Sequence, residues 1–139
     1  MKLLIDINVI LDMVLGRKPW SAEAAELLTA VQEGRAEGCV AAHTITTAHY
    51  IIAKAQGKQA ANRAISDLLR IVEVVPVDQA DFHQALVLGL SDFEDAVQAA
   101  CALKAGADFI VTRDEAGFTD LAIPAQSAGM VVSLLARNE

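Results

Sequence analysis

No apolar run in this chain of 139 residues reaches the ~18 residues needed to cross a bilayer. Asp6 interrupts the apolar opening after Ile5, so the unbroken apolar region of a signal peptide is missing too. A cytoplasmic protein without membrane contact is expected. Only two cysteines occur, Cys39 and Cys101, far apart and without metal-binding or redox spacing. Embedded in Ala and Val, they are expected to be buried, reduced and inert. Aromatic residues make up 4% of the chain against 54% hydrophobic residues, a composition that suits closely packed helices on a sheet. There is no Gly-rich phosphate loop, no Ser/His/Asp order, no internal repeat and no linker. Basic charge is short as well: the net charge is −7, which excludes indiscriminate nucleic-acid binding, because that depends on Lys and Arg neutralising phosphates. It leaves room for an enzyme whose acidic pocket holds cations and whose few basic residues form a local rim.

The length fits one domain with a real core. Lys2 to Ile5 is short, rich in strand formers and apolar on both faces, as a buried parallel strand is. Gly38 to Ala42, Ile71 to Val75 and Ala107 to Thr112 are further strand candidates, and Leu121 to Ala125 reads as an edge strand tolerating Pro124. Between them, apolar residues at helical spacing predict one or two helices per connection. Thr44 with Thr46 or Thr47 is expected to cap the helix after the second strand, and Asp78 the one after Pro76. Met130 to Ala136 fits a closing helix better than a strand. Parallel strands need crossovers, so the expected architecture is a three-layer α/β/α sandwich around a mostly parallel sheet.

In such a sheet, strand ends and the starts of the following helices share one edge. Asp6, Asp114 and the segment Leu90 to Asp95 should therefore converge there. Asp6 and Asn8 read equally as helix caps for Val9 onward. Ser91 and Glu94 have capping-box spacing, which assigns Glu94 to the cap, while Asp92 and Asp95, three apart, should share a helix face. Carboxylates brought together repel unless protons or cations intervene, and Mg²⁺ and Mn²⁺ favour such oxygen ligands. A metal site that activates water for phosphodiester cleavage is the simplest resolution. Thr112 is placed to orient a ligand through its hydroxyl. Lys54, Lys58 and Arg63, or Arg17 with Lys18, form either a basic rim or ordinary surface charge.

The stretches LLIDINVILD and DFEDAVQAACALKAGADFIVTRDEAGF resemble the PIN-domain family of metal-dependent ribonucleases, which includes many toxins of toxin–antitoxin pairs, and the resemblance spans nearly the whole chain. It implies that Asp6, Asp95 and Asp114 are catalytic and bind Mg or Mn, with Asn8 and Thr112 as neighbours and Asp92 as an extra ligand. It further implies RNA as substrate, a small antitoxin as partner and a homodimer. One departure stands out. The family's remaining acidic position, a Glu in the helix after the second strand, is matched here by His49. Imidazole is a poor Mg²⁺ ligand, so His49 reads either as a changed metal ligand or as a packed, hydrogen-bonded residue; His43 and His83 read as structural or solvent-facing. The competing function is a weakened PIN-like domain that binds RNA or protein. Phosphotransfer ranks below both, since Asn8 stands where a phosphatase needs a second Asp, and no receiver-type acid pair or Lys is evident.

Overall fold

The computed structural model describes residues 1–138. The elements run β1 (Lys2–Ile5), α1 (Ile7–Leu15), α2 (Ser21–Gln32), β2 (Glu37–Ala41), α3 (Ala42–Gln56), α4 (Lys58–Leu69), β3 (Val72–Val75), α5 (Gln79–Leu88), α6 (Phe93–Ala105), β4 (Phe109–Val111), a 3-10 turn (Glu115–Phe118), β5 (Ala125–Gln126) and α7 (Ala128–Arg137). The five strands form one sheet in the order β3-β2-β1-β4-β5, and all four pairings are parallel.

β1 lies at the centre, and its alternation explains the layers. Leu3 and Ile5 point into a core shared with Val9, Leu27, Val31 and Val131, whereas Leu4 points into the opposite core with Cys39, Val97 and Ile110. Leu3, Leu4 and Ile5 are all fully buried, which is why this strand is apolar at successive positions instead of alternating. A third cluster, built from Ile7, Leu11, Ala48, Ile52 and Ala61, packs the α3–α4 hairpin onto α1. β2 also approaches α2 closely: a Cβ at Gly38 would stand 2.9 Å from Val31 Cγ1. Both cysteines are buried and free, as expected, and burial pushes each thiol up to about 11.

The chain order reverses at the centre of the sheet, because β2 and β3 extend to one side of β1 while β4 and β5 extend to the other. Crevices for ligands open at such a switch point, beyond the carboxyl ends of the two strands. Asp6 follows β1, and Thr112 with Asp114 follows β4, so the topology alone brings them to one place.

Several local expectations need correction. The fifth strand is only Ala125–Gln126, because Pro124 has no N–H to donate and sits before the pairing, where its carbonyl accepts from Ile110 N–H. α3 starts directly at Ala42 with Ala41 at its cap position and no side-chain cap, while the hydroxyls of Thr46 and Thr47 turn back to the His43 carbonyl. α6 is capped by Asp92, whose Oδ1 accepts from Asp95 N–H at 2.9 Å, and not by Ser91 with Glu94. Asp92 therefore precedes the helix instead of sharing a face with Asp95 inside it. The predicted cap at Asp78 does form, reciprocated by Asp81. The chain from Met130 continues a helix, α7, as predicted.

Candidate metal centre

Asp6 occupies the cap position of α1 but makes no capping bond. Its buried carboxylate is held from two other elements: Gln98 Nε2 on α6 donates to Oδ1 at 2.9 Å, and Thr112 Oγ1 beyond β4 donates to Oδ2 at 2.9 Å. Thr112 Oγ1 in turn accepts from Asp114 N–H at 3.0 Å. One hydroxyl thus ties the floor of the cleft to the loop that carries Asp114. The cap reading of Asp6 fails because its oxygens are committed sideways along the sheet edge.

Asp95 and Asp114 close on the same place. A Cβ built at Gly117 would meet Asp114 Oδ2 at 3.0 Å and Asp95 Oδ2 at 3.2 Å, so the absent side chain is what lets two carboxylates lean over the 3-10 turn. Burial decreases outward, from buried Asp6 through half-buried Asp95 to exposed Asp114. Asp95 feels this crowding. Burial first, then Asp92, Asp6 and Asp114, push its carboxyl up to about 7.

The donor set suits a hard divalent cation: the converging side chains are carboxylates, and their repulsion at Asp95 is of the kind a cation relieves. Among the described residues, no three His, Cys, Asp or Glu side chains already stand in a ligating cluster.

His49 is elsewhere engaged. Its Nε2 lies 2.7 Å from Asn62 Oδ1 on α4, across the helical hairpin, which favours the packed reading of this residue. His83 is solvent-facing as expected. His43 differs from the simple structural role: both ring nitrogens are buried without a partner, burial lowers its pKa, and Glu94 opposes that shift.

Three residues escaped the sequence reading. Gln98 is one. The others are Asp12, 1% exposed on α1, and Arg113, whose Nε lies 3.2 Å from Asp12 Oδ2 while its guanidinium stacks 3.8 Å from the Trp20 ring centroid. Arg17 approaches Asp12 Oδ1 at 3.8 Å and donates to Asn8 Oδ1 at 3.5 Å. Burial raises the Asp12 pKa, and Arg113 and Arg17 oppose it. The contrast with Asp6 is chemical. Asp12 is matched by guanidinium charge, whereas Asp6 is held by neutral donors. A recurrence of basic residues near the acidic motifs was the one available signal; it yielded Arg17 with Lys18, and Lys54, Lys58 and Arg63, but not Arg113.

A fully parallel α/β sheet with acidic residues at its switch point defines a class of α/β proteins with an acidic ligand crevice. The chain belongs to the PIN-domain family, whose model matches residues 2–116. It is 27% identical over 126 residues to ribonuclease VapC1 of Aquifex aeolicus, covering 85% of each chain. Its fold is similar to VapC20 of Mycobacterium tuberculosis, a sarcin-ricin loop cleaving toxin, with TM-score 0.68 at 17% identity, covering 86% of this chain and 98% of that one. It is likewise similar to VapBC2 from Rickettsia felis, determined bound to a DNA fragment from their promoter, with TM-score 0.65 at 11% identity over 91% of this chain and all of that one. No helix among the described residues is long and apolar enough to cross a membrane.

Proposed function

We propose that this chain is a PIN-type endoribonuclease that hydrolyses RNA phosphodiesters, with Mg²⁺ or Mn²⁺ held by Asp6, Asp95 and Asp114, and that it acts as the toxin of a toxin–antitoxin pair. The observation that supports the proposal is the placement of acidic residues from three segments on one sheet edge: Asp6 beyond β1, fixed by neutral donors, and Asp95 with Asp114 over Gly117. Family membership and the similarity to a ribonuclease support the reaction class.

When bound, the divalent ion supplies an activated water and neutralises charge that builds on the phosphate. The chain supplies the rest. Asp6 anchors the floor, Asp95 and Asp114 face each other over Gly117, and Thr112 keeps the Asp114 loop in register with Asp6. Arg113 and Arg17 converge on Asp12, and Arg113 directly precedes Asp114 in the chain, so the two give an overall acidic protein a local attraction for the phosphate backbone. Asp92 keeps one oxygen free beyond its cap and serves as an additional ligand, whereas His49 serves the α3–α4 hairpin. A small antitoxin and a second copy of the chain are the protein partners of this reading, the former supported by the toxin–antitoxin complex among the similar structures.

Cleavage of single-stranded RNA in Mn²⁺ or Mg²⁺ tests the reading. The wild-type protein is expected to cut RNA, to stop on chelation, and to lose at least ~100-fold in rate as Asp114→Asn. An Asp114→Asn protein as fast as wild type would contradict it. Tight RNA binding without cleavage would favour the binding-module alternative.

A further inference from the structure

Gln98 is only 1% exposed and lies one helical turn beyond Asp95 on α6. Its Nε2 donates to Asp6 Oδ1 at 2.9 Å, while its Oε1 is buried with no hydrogen-bond partner. An amide in such a position is unfavourable for stability alone, since an orphaned buried acceptor costs free energy that an apolar side chain of the same length would avoid. Its contribution must be sought at Asp6.

Resting on the metal-dependent reading above, we propose that Gln98 is a positioning residue: its amide fixes the rotation of the Asp6 carboxylate and couples α6, which carries Asp95, to the floor of the site. Thr112 makes the same coupling from the other side, to the loop of Asp114. Two donors on opposite oxygens leave the carboxylate a single orientation. Both donors are neutral, and that matters chemically. A Lys or Arg at position 98 would satisfy the charge of Asp6 as Arg113 satisfies that of Asp12, and would compete with a cation for it. Gln98 orients the ligand without spending its charge, which is the behaviour expected of outer-shell partners in metal sites.

The test compares Mn²⁺ binding by calorimetry, Mn²⁺ dependence of RNA cleavage, and thermal melting for wild type, Gln98→Met and Asp6→Asn. Gln98→Met removes the donor at nearly constant volume. Its Mn²⁺ affinity is expected to fall ~10–100-fold, with melting close to wild type and with cleavage recovering as Mn²⁺ is raised to saturation, whereas Asp6→Asn does not recover. A purely structural role would move the melting temperature and leave the Mn²⁺ dependence in place. Should Gln98→Met fail to fold, Gln98→Asn withdraws the donor by one methylene and is expected to show the same weakened binding. Wild-type affinity in the folded variant, with Asp6→Asn impaired, overturns the role of Gln98 alone. Absence of Mn²⁺ binding in the wild type overturns both this role and the metal-dependent reading.

Discussion

At the scale of single residues, the site is governed by how each carboxylate is matched. Asp95 is the least comfortable, pushed up to about 7 by burial and by four neighbouring acids, Asp92, Asp6, Asp114 and Glu94. Its folded-state pKa lies above its ordinary value of 3.8, so the metal-free fold is favoured while Asp95 is protonated. That contribution is complete below about pH 4 and is lost as the pH rises towards 7. In the metal-free protein, Asp95→Asn is therefore expected to melt higher than wild type at pH 8, on the order of 3 °C, and to match it near pH 4. Equal melting at both pH values would contradict the crowding. Gly117 gives a steric counterpart. Gly117→Ala places a methyl group against both Asp95 and Asp114, and a displacement of a few tenths of an ångström is expected to reduce kcat about 10-fold while the fold persists. Unchanged kcat in that variant would show that the two carboxylates do not act over the turn.

At the scale of elements, the join between α1 and the loop after β4 depends on a buried charge. Asp12 is 2% exposed at its side chain, and Arg113 covers it while stacking on Trp20. Removing the guanidinium leaves a carboxylate in the core with only Arg17 nearby at 3.8 Å. Arg113→Met is expected to cost about 2–3 kcal/mol in urea unfolding, with Asp12→Asn in the same chain restoring part of the loss. A loss below about 0.5 kcal/mol would mean that Arg17 and water already match Asp12. The pair explains why two arginines stand next to an acidic cleft in a protein with a net charge of −7. A structural charge in α1 holds them there, and the phosphate rim is proposed to be its second use.

At the scale of the whole molecule, the sheet was legible because its signal is periodic and redundant. β1, with three fully buried consecutive side chains, could only be an interior parallel strand. The strand-and-helix alternation then set the layers, and the shared edge of Asp6, Asp95 and Asp114 followed. Ends of elements were less legible. Ser91 with Glu94 and Asp92 alone are equally good caps on paper, and the choice of Asp92 depends on how the preceding loop enters α6. Pro124 lay inside the expected edge strand because a strand's start cannot be read to the residue. Gln98 and Asp12 were hidden for a different reason. A polar residue on a helix reads as solvent-facing, and only the fold shows that these two face inward, one to Asp6 and the other to Arg113. His49 reads as ligand or as packing from the sequence, and its contact with Asn62 across the hairpin favours packing. Asp6, Asp95 and Asp114 are proposed to hold the divalent ion. Anomalous diffraction from crystals soaked in Mn²⁺ measures this directly: a peak is predicted between these three carboxylates and away from His49, and a peak at His49, or none at the sheet edge, would contradict it.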